Sequence, residues 1–350
     1  MDFIALDVPI GDSFFLYDPK KKQTFLVDGG TANYHYVYNG IVEKIERQLQ
    51  AKSTTHLDVL ICTHYDFDHV SGIIGILNNI LAPTSNFSVR ELWLPDFIRR
   101  LSNTWRHNAW GIRTRIKDSN FINVLQHDEC DKDHKIQRTP GSNSPIDMTV
   151  RHINRLIFLC FEFIMQGGKI HWLEYNDNII NKRIDNNYEM FGINCSEVKR
   201  YITYYTEEEL IFHFTRINKE SLVFRYNNAT NNLPNVLFTS DSCFDFCHNK
   251  PVPFNPSSSI VTTPHHGSSD YRHEQVYDNL YSTGKNFIFI RSDYSGSKRP
   301  KSTCKYLEHN RLARFCTNCN NGSQWGDLHF QFNTNWRQIS QSSCQCEKIN

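Results

Sequence analysis

Four side chains that can bind metal ions lie within six consecutive residues of this 350-residue chain: His64, Asp66, Asp68 and His69. They directly follow residues 57–62, a mostly apolar run that predicts a strand buried on both faces. Imidazole nitrogen and carboxylate oxygen are the usual ligands of zinc and manganese in hydrolytic sites. A loop leaving the strand could turn these four side chains toward one cavity and serve two metal ions. The alternative is a polar loop that is merely rich in Asp and His.

Two later segments place the same residue types after apolar strands. Asp241 follows residues 237–240, and the pair His265 and His266 follows residues 260–262. Loops converge at strand ends in layered α/β proteins, so three such segments predict one shared metal centre. In that centre Asp241 could bridge two metal ions, and His265 or His266 could complete the ligand set. Taken alone, Asp241 could equally be a turn residue.

The order of these motifs resembles that of the metallo-β-lactamase superfamily. His64-x-Asp66-x-Asp68-His69 is most similar to the ComEC-type branch, the metallo-β-lactamase domain of the competence DNA-uptake protein, which carries Asp in place of the second His. Further segments that resemble the motifs of this branch follow in the same order: residues 6–8 with 11–13, residues 26–30, Asn218 with residues 221–223, residues 238–241 and residues 264–268.

The resemblance implies a four-layer αββα metallo-β-lactamase sandwich with two divalent ions, zinc or manganese. It implies one metal site that uses His64 and Asp66 and a second that uses Asp68 and His69. Asp241 would bridge the ions and act catalytically, and Asp68 would orient the attacking water. The whole implied ligand set is His64, Asp66, Asp68, His69, Asp241, His265 and His266. Asn218 stands where other branches carry a metal-binding His, which implies that it positions substrate or a ligating water.

Two positions depart from the family pattern. Ser240 replaces the Gly that precedes the bridging Asp. The downstream Tyr-Gly-His-Pro motif is here Ser-Lys-Arg-Pro, residues 297–300, so its His is absent. Arg299 could bind a phosphate in its place. We therefore predict Arg299, Lys298 and Ser268 as substrate-binding residues.

The elements around these motifs alternate between strands and helices, which indicates an α/β protein. We predict helices over residues 40–50, 70–81 and 148–165. Strands are predicted over residues 3–8, 14–17, 24–27, 57–62, 89–94, 169–174, 210–215, 221–226, 236–239, 260–262, 287–290, 328–332 and 336–339. We predict a single domain, residues 1–350, that carries an insertion of helix and loop at residues 96–167.

The insertion contains a stretch of basic residues, from Arg99 to Lys117, that is interleaved with Trp105 and Trp110. Its cations could contact phosphates and its indole rings could stack on unpaired bases. A solvated helix with a buried aromatic side is the alternative. The formal net charge of the chain is only +1, so no global attraction to nucleic acid is expected.

Cysteine content and hydropathy bear on the compartment. The chain has 11 cysteines, an odd number, and no export signal is visible, so reduced thiols in the cytoplasm are expected. The longest apolar run, residues 156–165, is shorter than the roughly 20 residues of a membrane span. Four thiols could form a structural zinc site, with unliganded cysteines as the alternative: Cys316, Cys319, Cys344 and Cys346.

The combined prediction is a metal-dependent hydrolase, a phosphodiesterase or nuclease in which two metal ions activate water. Nucleic acid is the expected substrate, and a protein partner or activator is plausible for such an enzyme. One alternative is a metallohydrolase of a small ester, lactone or nucleotide. Another is a regulatory or binding module with a decayed metal site.

Overall fold

The computed structural model describes residues 1–30, 34–95, 145–173, 181–185, 188–191, 205–206, 209–210, 221–226, 235–244, 259–268, 271–281, 287–292, 305–308, 313–317 and 326–339. Its α-helices are α1 (Tyr34–Ala51), α2 (Phe67–Ile80), α3 (Pro145–Met165) and α4 (Tyr271–Tyr281). Its strands are β1 (Asp2–Ala5), β2 (Phe14–Asp18), β3 (Gln23–Val27), β4 (His56–Ile61), β5 (Ser88–Pro95), β6 (Lys169–Leu173), β7 (Asn181–Asp185), β8 (Tyr188–Phe191), β9 (Tyr205–Thr206), β10 (Glu209–Leu210), β11 (Val223–Tyr226), β12 (Asn235–Phe238), β13 (Ser259–Thr262), β14 (Phe287–Arg291), β15 (Arg314–Cys316), β16 (Leu328–Phe332) and β17 (Trp336–Gln338).

The strands form two large sheets. The first has the order β17-β16-β1-β2-β3-β4-β5-β6, and the second has the order β15-β14-β13-β12-β11-β8-β7. Strands β3 to β6 run parallel, as do β12 to β15, and the remaining neighbours are antiparallel. Strands β9 and β10 form a separate pair. Because parallel strands end at the same edge of a sheet, the loops after β3, β4, β12 and β13 can meet there.

Aromatic side chains fill the space between the sheets. Phe3 of the first sheet lies against Phe238 of the second, with ring centroids 6.2 Å apart, and Phe25 lies 6.3 Å from Tyr226. On its other face the first sheet packs against helices α1, α2 and α3. The second sheet packs its outer face against α4. The layers are therefore helix, sheet, sheet and helix, which confirms the predicted four-layer α/β sandwich.

Helix α3 falls within the predicted insertion yet contributes to the core. Its buried side chains Leu156, Ile157 and Phe163 belong to the cluster that covers the first sheet, and α3 packs on α2. It also connects the parallel strands β5 and β6, which is the usual position of a crossover helix. The other part of the predicted insertion, residues 96–144, lies outside the described residues.

A close approach of two backbones fixes the start of α2. A β-carbon on Gly29 would lie 2.4 Å from the carbonyl carbon of Gly72, so neither position has space for a side chain. Backbone hydrogen bonds cross the same contact, from Gly29 to His69 at 3.1 Å and from Gly72 to Gly30 at 3.2 Å. The loop after β3 and the first turns of α2 therefore hold each other in register.

Within the described residues, no helix combines the length and apolar character that crossing a membrane requires.

Candidate metal centre

The ligand-rich segment leaves β4 and turns directly into α2. Asp66 occupies the N-cap position of α2 in an extended conformation, and the backbone N–H of His69 donates to its carbonyl at 3.0 Å. His64 lies before this turn and Asp68 lies in the first helical turn. The turn therefore gathers side chains from the strand end and from the helix start at the same sheet edge.

The first donor group consists of His64, Asp66, His265 and one oxygen of Asp241. Asp241 Oδ2 lies 3.6 Å from His64 Nε2 and 3.4 Å from His265 Nε2. His64 Nε2 also lies 3.7 Å from Asp66 Oδ2. The donor atoms of His64, Asp66 and Asp241 all lie within 4.8 Å of one another, close enough to surround one cation.

The second donor group consists of Asp68, His69, His266 and the other oxygen of Asp241. Asp241 Oδ1 lies 3.5 Å from His69 Nε2 and 3.5 Å from His266 Nε2. His266 Nε2 lies 3.5 Å from Asp68 Oδ2. The two oxygens of Asp241 therefore face two different sets of donors, which is the geometry of a bridging carboxylate.

All seven residues predicted as metal ligands meet in these two groups. Their division follows the predicted pairs, and the structure adds that His265 faces the first group and His266 the second. Predicted substrate contact Ser268 is buried next to the His pair, and its N–H donates to the His265 carbonyl. Four predictions lie outside the described residues: Asn218, Lys298, Arg299 and the basic stretch 99–117.

The predicted cysteine site is described at one of its four positions. Cys316 is a buried free thiol in β15, where it packs in the apolar cluster beneath α4. Cys319, Cys344 and Cys346 lie outside the described residues, so the structural zinc site stays a prediction.

Two buried carboxylates behind the histidines were not predicted as functional residues. Asp28 Oδ2 accepts a hydrogen bond from His69 Nδ1 at 2.9 Å, and Asp12 Oδ1 accepts one from His266 Nδ1 at 3.1 Å. Such contacts fix the ring orientation and the tautomer that presents Nε2 to a metal. An oxygen of Asp12 also lies within 4.8 Å of the donors of the second group. Their position after a strand end or a glycine turn was the available signal in the sequence.

The His265–His266 turn has an unusual backbone conformation. Both residues are left-handed, with φ of 45° and 52°, a region that is costly for residues other than glycine. The turn is held by a hydrogen bond from the His265 N–H to the Ser240 carbonyl at 3.0 Å, and by one from Arg291 Nε to the His266 carbonyl at 2.9 Å. This conformation directs two adjacent imidazoles to opposite oxygens of the same carboxylate, which indicates a functional reason for the strain.

Protons and carboxylates are strongly coupled in this cluster. Burial alone would lower the pKa of His64, but its contacts with Asp241 and Asp66 raise that pKa to about 9. For His69 burial is likewise outweighed, and Asp28 and Asp241 raise the pKa well above its ordinary value. The pKa of Asp241 is held low despite burial, because the surrounding histidines stabilise its charge. In metal-free protein at neutral pH, the histidine protons therefore compensate the buried carboxylates.

The donor set fits divalent cations. His64 Nε2 and Asp241 Oδ1 are buried and make no hydrogen bond with any described residue, although buried polar atoms nearly always have one. Both atoms face the interior of the cluster. Mixed nitrogen and oxygen donors suit zinc and manganese alike. The first donor group would hold one cation and the second donor group another.

Cation binding is expected to strengthen as the pH rises from 7 to 9. Below pH 9 a cation must displace the proton of His64, so affinity should rise about tenfold per pH unit for each proton displaced. Competition titrations with a chelator, corrected for its own protonation, measure this slope. An affinity that stays flat between pH 7 and 9 would contradict the raised pKa of His64.

The same protons affect the stability of the metal-free protein with the opposite sign. The folded-state pKa of His64 lies above its ordinary value of 6.5, so this contribution is complete below pH 6.5. It is lost as the pH rises through about 9. Urea unfolding of the metal-free protein at pH 6 and pH 9 should show a lower midpoint at the higher pH.

Comparison with known proteins identifies two solved structures that are similar to this chain. One is the metallo-β-lactamase fold protein YhfI from Bacillus subtilis, with 10% sequence identity and a TM-score of 0.33, covering 84% of this chain and 98% of that chain. The other is a diphosphatase from the PhnP family, with 8% identity and a TM-score of 0.38, covering 96% of this chain and 100% of that chain. No protein-family model and no curated protein matches the sequence.

Proposed function

We propose that this chain is a metal-dependent hydrolase that cleaves phosphodiesters, with nucleic acid as the substrate. The observation that carries the proposal is Asp241, whose two oxygens face separate groups of histidine and carboxylate donors. When bound there, two divalent cations would activate water and neutralise charge that builds on the phosphoryl oxygens.

Exposure within the cluster indicates where a substrate would approach. The side chain of Asp241 is only 2% exposed, whereas those of Asp66, Asp68 and His265 are 27%, 18% and 19% exposed. The cluster is therefore open on the side of these three residues and closed behind Asp241. A scissile phosphate would enter from the open side and meet both donor groups.

Asp68 is suited to orient the attacking water. Burial opposes its charge, but the hydrogen bond with His266 and the nearby His69 hold the pKa of Asp68 below its usual value. It is thus ionised at neutral pH and can accept a hydrogen bond from water at the open side of the cluster. Asp12 and Asp28 would keep the histidines of the second donor group in place during the reaction.

Support for nucleic acid as the substrate comes from the sequence. It consists of the resemblance to the ComEC-type branch, the basic and aromatic stretch 99–117, and Lys298 with Arg299 as further phosphate contacts. The cytoplasm as compartment and a protein activator are proposed on the same basis. The four described cysteines are free thiols, as the proposed cytoplasmic location requires.

Cleavage of labelled nucleic acid by metal-stripped protein tests the proposal. Single-stranded DNA, double-stranded DNA and RNA are incubated with and without added manganese or zinc. We expect cleavage only with metal, and a loss of more than about a hundredfold in the double variant Asp68→Ala with His69→Ala. The loss should exceed the 10- to 100-fold that residues behind metal ligands contribute, because these two residues are ligands themselves.

His329→Gln is the matched control, since His329 is a half-buried histidine that pairs with Asp2 at the start of β1, away from the cluster. It should cleave like the wild type. Cleavage that persists in the double variant would contradict the proposed site. Protein that binds two cations but cleaves none of the nucleic acids would favour hydrolysis of a small ester, lactone or nucleotide instead.

A further inference from the structure

A chain of buried hydrogen bonds connects Asp28 to the first donor group. Thr63 Oγ1 lies 2.6 Å from Asp28 Oδ2 and 2.6 Å from Ser240 Oγ. Ser240 Oγ in turn lies 3.1 Å from His64 Nδ1, the ring nitrogen that faces away from Asp241. All four residues are buried, with relative exposures between 0% and 3%, so water does not compete for these contacts.

The chemistry of the groups gives this chain one direction. A carboxylate only accepts, so the single hydroxyl proton of Thr63 is donated to Asp28. The oxygen of Thr63 then accepts the hydroxyl proton of Ser240, whose own oxygen is left to accept from His64 Nδ1–H. Thr63 Oγ1 lies 3.1 Å from the same nitrogen and shares that N–H. With its proton on Nδ1, the neutral imidazole of His64 presents the Nε2 lone pair to the first donor group.

Backbone conformation sets Ser240 apart from an ordinary turn residue. Its φ is 48°, a left-handed conformation that glycine adopts without cost and serine does not. The family that the sequence resembles has glycine at this position. Glycine would therefore satisfy the turn better, and the contribution that only serine makes is its hydroxyl, which contacts Thr63 and His64.

We propose that Ser240 is a positioning residue for the metal centre, through which one carboxylate, Asp28, orients a histidine of each donor group. Asp28 holds His69 of the second donor group directly, and it holds His64 of the first donor group through Thr63 and Ser240. The ligand whose binding this affects is a divalent cation at the first donor group. The inference rests on the proposed metal centre and is independent of which substrate is cleaved.

Ser240→Ala and Ser240→Gly separate the hydroxyl from the backbone. Both remove the acceptor for His64 Nδ1–H, but only glycine also relieves the left-handed strain. We expect both variants to bind zinc at the first donor group about tenfold more weakly in calorimetric titrations, the lower end of the range for residues behind metal ligands. The urea midpoint of the metal-free Ser240→Gly protein should equal or exceed that of the wild type, whereas Ser240→Ala should not gain stability.

A second readout does not depend on catalysis or on metal. The Nδ1–H proton of His64 should give a slowly exchanging NMR signal in metal-free and zinc-loaded wild-type protein, and this signal should exchange faster in both variants. Ser242→Ala is the matched control, because Ser242 is an equally buried serine two residues away whose hydroxyl accepts from the Phe244 N–H. Its affinity for zinc and its His64 signal should match the wild type.

The outcomes distinguish this inference from the proposed function. Wild-type affinity and an unchanged Nδ1–H signal in Ser240→Gly would overturn the role of Ser240, even if the protein cleaves nucleic acid. Weakened zinc binding with a lost signal would support it, even if no phosphodiester is cleaved. Ser240→Gly keeps the test decisive should Ser240→Ala fail to fold, since glycine suits the observed φ.

Discussion

Replacing Asp241 with asparagine is expected to abolish hydrolysis and to weaken binding at both donor groups at once. The two oxygens of Asp241 lie 3.4 to 3.6 Å from imidazole nitrogens of both groups, so no other described residue serves both. An amide supplies one weaker oxygen donor and no negative charge. Because a bound cation contributes several kcal/mol to transition-state stabilisation, activity should fall about a thousandfold or more. Steady-state cleavage and cation titration measure the two effects.

Asp18→Asn is the matched control for this substitution. Asp18 is also a buried carboxylate, 3% exposed, but it lies at the end of β2 and accepts a hydrogen bond from the Tyr226 hydroxyl at 2.6 Å. This variant should lose stability without losing cation binding. If Asp241→Asn still bound two cations tightly, Asp241 would not be the bridge between the donor groups.

Gly11→Ala is expected to destabilise the fold and the second donor group together. Gly11 has φ of +87°, and a β-carbon there would lie 1.8 Å from the backbone oxygen of Asp68. The left-handed conformation costs alanine about 1–2 kcal/mol, and the overlap adds about 1–3 kcal/mol. Moving the backbones apart would displace Asp12 and Asp68 on either side of His266. Urea unfolding of the metal-free protein and manganese titration should both detect the change.

The chain offers a control with the same backbone conformation and open space. Gly167 has φ of +88°, and no atom lies within 4 Å of the β-carbon that alanine would add. Gly167→Ala should therefore cost only the conformational part, about 1–2 kcal/mol, and leave cation affinity unchanged. Equal losses of stability in the two variants would show that the contact between Gly11 and Asp68 is not important.

The sequence predicted the metal centre well because local patterns determine most of it. An apolar strand followed by His64, Asp66, Asp68 and His69 needs only the knowledge that parallel strands end at one edge. The same reasoning brought Asp241 to that edge. The helices were also found from their apolar periodicity, although α1 begins earlier, at Tyr34, than the predicted residues 40–50.

Contacts between distant segments could not be predicted in the same way. His266 meets Asp12 across 254 positions of the chain, and His69 meets Asp28 across 41. Which histidine pairs with which carboxylate depends on strand order and register, and a single sequence does not encode these locally. Helix α4 was missed because its sequence is polar and rich in tyrosine, so its apolar face is weakly marked.

The assignment of residues 96–167 to an insertion has a similar explanation. A long polar segment precedes α3, and this composition made the helix appear to belong to it. In the structure, Leu156 and Phe163 of α3 bury themselves beside α2, and the helix joins β5 to β6. Layer membership depends on this packing, whereas the sequence pattern indicates only that a helix is amphipathic.

Titration of metal-stripped protein with manganese, followed by electron paramagnetic resonance, tests the central claim most directly. Two cations joined by the Asp241 carboxylate are close enough for their spins to couple. We predict that two equivalents bind per chain and that the second converts the spectrum of an isolated ion into that of a coupled pair. Asp241→Asn should not give the coupled spectrum. Binding of fewer than two equivalents, or of two ions without coupling, would contradict a centre bridged by Asp241.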